Sequence, residues 1–190
     1  VIASTSLSLV LAFGAVTRNG DPIVLGVALN LAAIGVTGFL LVALFDVRGV
    51  FQDAAIVGLP TWRIPGLASI PLIGDGLFDL TPLGYLALIL VPVTHVVLFR
   101  TPLGLRLRGV GERPHSASSL GVSPKNYQYG AVMVSGALCG LAGAQLSLGN
   151  VVQFAENMTA GRGWIAVVAV MLGRSNPFGV LAAATVFGLA

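Results

Sequence analysis

Residues 23–45 of this chain, IVLGVALNLAAIGVTGFLLVALF, are a run of 23 residues without one charged side chain. As an α-helix at 1.5 Å per residue such a run reaches ~34 Å, enough to cross a hydrocarbon layer of about 30 Å. Pro22 stands just before it, where a helix can begin because the missing N–H is not needed. The rest of the chain has the same character. Charged residues make up 9% of the 190, against roughly 25% in a soluble domain, and mean hydropathy is +0.94. A water-exposed shell cannot be built from such a composition, so an integral membrane protein is predicted.

Further apolar runs flank this one. Residues 1–17 carry no charge and are followed by Arg18, Asn19, Gly20 and Asp21. Residues 83–99, LGYLALILVPVTHVVLF, form a shorter span ending at Arg100, with Pro92 expected to kink it by removing a backbone hydrogen bond. His95 lies five residues before Arg100, which places it near an interface rather than in a proton relay. Residues 127–148 are rich in small residues, with Gly136, Gly140 and Ala144 repeating every four positions. In lipid, helices associate where small side chains let backbones approach, so this row is read as a packing face.

The apolar pattern then breaks up. Residues 163–173 are too short to cross a bilayer, residues 173–177 read Gly-Arg-Ser-Asn-Pro, and a second apolar run starts at Phe178. Short segments interrupted by Gly and Pro point to discontinuous helices along a transport path, because irregular backbone at membrane depth survives only where protein or water satisfies it. The expected fold is an all-α polytopic transmembrane helical bundle with discontinuous helices near the C-terminal part. The chain opens at Val1 and stops inside an apolar run, so residues 1–190 are read as a fragment of a single transmembrane domain.

Charge orients these spans. Residues 100–125, RTPLGLRLRGVGERPHSASSLGVSPK, hold five of the ten basic residues and one acid, Glu112. A short loop with such an excess is retained on the cytoplasmic side. Residues 46–82 would then lie outside, carrying Asp46, Asp53, Asp75 and Asp79 against Arg48 and Arg63. That segment reads as a cap with Phe51, Trp62 and Phe78 as interfacial anchors, and as a docking surface for an external partner.

Several chemistries are excluded. The pI near 9.6 reflects basic groups beside apolar spans without interleaved aromatics, so nucleic acid is not the expected partner. One cysteine, Cys139, permits no internal disulfide and no cysteine-based metal site. No phosphate loop is present, and Gly161-Arg162-Gly163-Trp164-Ile165-Ala166, a loose dinucleotide pattern, lacks a preceding strand and a following acid. The apolar runs contain no carboxylate. Carriers driven by proton gradients commonly place one there, so energy is expected from another subunit.

The run RTPLGLRLRGVGERPHSASSLGV resembles the cytoplasmic loop of permease subunits of bacterial ABC importers for branched-chain amino acids, simple sugars and nucleosides. ENMTAGRGWIAVVAVMLGRSNPFGVLAAATVFG and IVLGVALNLAAIGVTGFLL are similar to the nucleoside branch. The resemblance covers nearly the whole chain. It implies a coupling helix docking on a separate ATPase subunit, carried here by Glu112, Pro114, Ala117 and Gly121, while Arg113, Ser116 and Leu120 depart from the family pattern. It implies a second permease subunit, an extracytoplasmic substrate-binding protein, and a multi-pass position in the bacterial inner membrane. No cofactor is expected in this chain, ATP and magnesium belonging to the ATPase, and no enzymatic activity. For a nucleoside path the amide and hydroxyl groups of Asn30, Asn157 and Thr159 are apt, and Arg162 is a further candidate for the path or, alternatively, the organiser of the helix break through bonds to free carbonyls. The alternatives are sugar or amino acid cargo within the same family, a gradient-driven carrier, or a non-transporting scaffold.

Overall fold

A computed structural model of the chain describes residues 1–52, 58–60, 62, 63 and 79–189. It falls into two compact units, Val1–Ile56 with Pro102–Met158 and Val57–Thr101 with Thr159–Ala190.

The first unit begins with helix α1 (Ile2–Ala12), which widens into a π-helical turn at Phe13–Thr17. Helix α2 (Pro22–Phe45) follows. Asp21 caps it, its Oδ1 accepting from the backbone N–H of Ile23 at 2.8 Å and of Val24 at 3.4 Å. Two of the free donors at a helix start are thus satisfied, with Pro22 occupying the first turn. At the far end Asp46 adopts a left-handed conformation and closes the helix onto the Val42 carbonyl.

Helices α4 (Pro102–Glu112), α5 (Pro114–Ser119) and α6 (Pro124–Ala144) return the chain to this unit. Helix α6 lies antiparallel to α1. A β-carbon on Gly136 would collide with Ser8, and one on Gly140 with Ser4 and the backbone of Val1. Ala144, one turn further along the row, is half-buried. At the other end the hydroxyls of Thr17 and Tyr129 share a hydrogen bond of 2.5 Å. After a second π-helical turn, Gln145–Val151, strand β4 (Phe154–Ala155) pairs antiparallel with β1 (Val50–Phe51).

In the second unit β2 (Trp62–Arg63) pairs antiparallel with β3 (Asp79–Leu80). Helix α3 (Pro82–Arg100) starts on Thr81, whose buried Oγ1 accepts from Gly84 N–H at 3.3 Å. It stays helical through Pro92. Helices α7 (Arg162–Leu172) and α8 (Pro177–Leu189) complete the unit. His95 stacks on Phe99 and meets Phe178 of α8 at 5.0 Å between ring centroids.

Very little apolar surface is hidden. Among the described residues the buried hydrophobic side chains are Ala12, Leu41, Val110, Ala117, Ala169 and Ala183, while Ile23, Phe39, Leu44 and Met171 are each about 70% exposed. In water that surface would be untenable; against lipid tails or partner helices it is the required finish. Among the described residues three helices are long and apolar enough to cross a membrane, Pro22–Phe45, Pro82–Arg100 and Pro124–Gly149, and the helices on either side of residues 173–176 are shorter. The chain is all-α and polytopic, with discontinuous helices near its C-terminal part. Of the residues singled out in 46–82, Phe78, Asp53 and Asp75 lie outside the described residues.

Candidate functional site

Residues 100–125 do not form a loop carrying one short helix. They fold as two consecutive helices, α4 and α5, hinged at Arg113. Pro102 starts the first and Pro114 the second, each supplying a first-turn residue that needs no donor. Helix α4 turns Gly104 and Val110 inward and leaves Leu103, Leu105, Arg106, Arg108 and Glu112 exposed. Arg106 Nη1 donates to the Tyr127 hydroxyl on α6 over a long 3.5 Å. That hydrogen bond raises an already high guanidinium pKa, so Arg106 remains cationic.

Helix α5 is fixed at both ends. The Ala117 N–H bonds to the Arg113 carbonyl at 3.1 Å. At its end Gly121 has φ +78, its N–H reaches the Ser118 carbonyl at 3.0 Å, and the Val122 N–H reaches back to Ala117 at 3.1 Å. This pair of bonds is a Schellman closure, which favours glycine at the left-handed position. Ala117 is buried, whereas Glu112, Arg113, His115, Ser116 and Leu120 face outward. The result is a short, capped helix with an exposed, largely polar face.

The second candidate region is irregular. From the end of the second π-helical turn to the start of α7 the left-handed region is occupied by Val152, just before β4, and by Asn157, Ala160 and Gly161 after it. Three of these are not glycine, and the β-branched Val152 is the most costly of them. The turn at Asn157 is held by Met158 N–H to Ala155 at 3.2 Å, and the start of α7 by Arg162 N–H to Thr159 at 2.8 Å. Asn30 lies exposed on α2 in the same unit as Asn157, and no hydrogen bond joins them among the described residues. Thr159 and Arg162 belong to the other unit, both exposed.

The profile of a family described as the permease component of branched-chain amino acid transport systems matches residues 1–190. The chain belongs to this permease family. It is 35% identical over 99% of its length to the guanosine ABC transporter permease protein NupQ of Bacillus subtilis. It is 36% identical over 94% to the nucleoside ABC transporter permease protein NupC of Lactococcus lactis, and 37% identical over 100% to a putative glucose ABC transporter permease protein, TsgC13, of Haloferax volcanii. The chain spans 56 to 59% of the length of these relatives. No solved structure gives a significant match. Membership of the permease family and the apolar helices together make this a multi-pass membrane protein.

Two features of this permease-family chain were missed from its residue pattern. A carboxylate does reach a spanning helix: Glu156 Oε1 stands 2.8 Å from where a β-carbon on Gly38 would be. The expectation that no acid lies within the apolar runs holds along the chain but not in space, because β4 folds back over α2. The second feature is a close crossing of α7 and α8 at Gly173 and Gly179. Their spacing across Arg174-Ser175-Asn176-Pro177 was the available signal.

Proposed function

We propose that the chain is the membrane-spanning part of a permease that imports nucleosides, driven by ATP hydrolysis in a separate ATPase subunit. The match of the permease family to residues 1–190 carries this reading, and the similarity to the guanosine permease NupQ and the nucleoside permease NupC supports the cargo. The chain itself catalyses no covalent step and holds no cofactor. A second permease subunit and an extracytoplasmic binding protein complete the assembly in the bacterial inner membrane, with α4 and α5 on the cytoplasmic side.

Glu112, Pro114, Ala117 and Gly121 fit a coupling role for mechanical reasons. A helix of under two turns transmits force only if it cannot unwind, and Pro114 and the closure at Gly121 fix its two ends. Its exposed polar face is suited to a groove on the ATPase, while buried Ala117 ties it to the helices it would move. Asn30 and Asn157 in the first unit, and separately Thr159 and Arg162 in the second, remain the proposed contacts for a neutral, hydroxyl-rich cargo.

A second reading, import of a simple sugar, is favoured by the similarity to TsgC13. Reconstituted uptake by the intact permease with its partners separates the two, using a panel of nucleosides, glucose and branched-chain amino acids. Nucleoside uptake that stops when the ATPase carries a substituted Walker lysine is the expected result. Uptake that persists there and collapses with a protonophore would instead identify a gradient-driven carrier.

A further inference from the structure

The segment that folds back over α2 brings more than a backbone pairing. Phe154 stands in β4 and Glu156 in the turn that follows it, held by the β1–β4 pairing and by Glu156 N–H to Gly49 O at 2.8 Å. Phe154 lines a cleft of about 370 Å³ with Phe45, Phe51 and leucines of α2, and the Glu156 carboxylate rests against Gly38 on the same helix. Gly38 lies seven residues before Phe45, so the carboxylate sits ~10 Å inside the end of a spanning helix. An ionisable group at such depth is costly and is a functional feature by default.

We infer that Glu156 is a specificity-determining contact for the cargo, accepting hydrogen bonds from adjacent hydroxyl groups of a sugar ring. Among the described residues its carboxylate forms no ion pair or side-chain hydrogen bond, so its acceptor sites are available to a ligand. The cleft offers apolar and aromatic walls, at the small end of the range for ligand sites. A ligand suited to both has a flat apolar part, neighbouring hydroxyl donors and no anionic group. A nucleoside has this character, and a phosphorylated nucleoside would be repelled. Gly38 is the second half of the device, because any side chain there would occupy the place of the carboxylate oxygen. The inference rests on the nucleoside reading for the identity of the cargo but not for the chemistry of the contact.

The test is uptake by the complete transporter in proteoliposomes, comparing a ribonucleoside with its 2′,3′-dideoxy analogue. Glu156→Ala should raise the KM for the ribonucleoside about tenfold or more, the loss expected for a hydrogen bond to a charged acceptor, and leave the dideoxy analogue unchanged. Glu156→Gln should show a smaller rise. Gly38→Ala should repeat the Glu156→Ala pattern, while Gly35→Ala, which meets open space, should change neither. An unchanged KM for the ribonucleoside, or an equal rise for both analogues, overturns the inference. If Glu156→Ala fails to assemble, Gly38→Ala decides by the same criteria. If the wild type moves glucose and no nucleoside, the nucleoside reading fails, and the variants are read on glucose against its deoxy analogues.

Discussion

The carbonyl oxygen of Gly173 lies 2.5 Å from where a β-carbon on Gly179 would be, so helices α7 and α8 cross with backbone against backbone. The turn between them is a Schellman closure, with Ser175 N–H to Val170 O and Arg174 N–H to Met171 O, both at 3.1 Å. Arg174 and Ser175 take the left-handed positions, and Asn176 Oδ1 accepts from the Phe178 N–H at 3.2 Å to start α8. The neighbour of Gly179 is main chain, which cannot rotate away.

Gly179→Ala should therefore destabilise the protein by about 1–3 kcal/mol, the usual cost of overpacking a close contact. Gly188→Ala on the same helix meets open space and should be neutral or slightly stabilising. Thermal unfolding of the purified complex in detergent checks both. Equal melting temperatures for the two variants would contradict the close crossing.

The row on α6 makes a similar claim with a different partner. Gly136→Leu must displace Ser8, and a loss of about 1–3 kcal/mol is expected, whereas Gly143→Ala, with nothing near its β-carbon, should be tolerated. Serine at residue 8 gives the pair its second test. Ser8→Leu should reproduce the Gly136→Leu loss, and the double variant should lose less than the two singles added, since they spoil one contact.

At Gly121 the prediction is about coupling. With φ at +78, Gly121→Ala forces a side chain into a left-handed conformation at roughly 1–2 kcal/mol and loosens the end of α5. Transport per ATP hydrolysed should fall while cargo binding is retained. A ratio equal to wild type would show that α5 need not be rigid.

Glu112→Lys reverses the sole acidic charge of residues 100–125 at an exposed position. Charge reversal at a docking surface typically costs several kcal/mol, so uptake should drop at least about tenfold, with less ATPase copurifying. Unchanged uptake would favour a scaffold, or a docking surface elsewhere.

How much of this was readable from residues alone depends on range. Helix α2 announces itself through its uncharged length, Pro22 and Asp21, all local signals. The ends of α3 at Thr81 and Arg100 are local in the same way. Helix α4 was missed because its charged face and glycines at 104, 109 and 111 mimic loop composition, while the inward turns of Gly104 and Val110 depend on helices it has yet to meet. Gly136 and Gly140 stand out as a row, but Ser4 and Ser8 opposite them are separated from it by over a hundred residues. Glu156 reaching Gly38 was invisible for the same reason. No pattern within either segment states that β4 will lie over α2.

That separation sets a timetable for biogenesis. A ribosome adding roughly 5–20 residues per second delivers β4 on the order of 5–20 s after β1, and α6 correspondingly late after α1. Through that interval the first helices wait in the bilayer with their future neighbours still unmade, and the insertion machinery or surrounding lipid has to chaperone them.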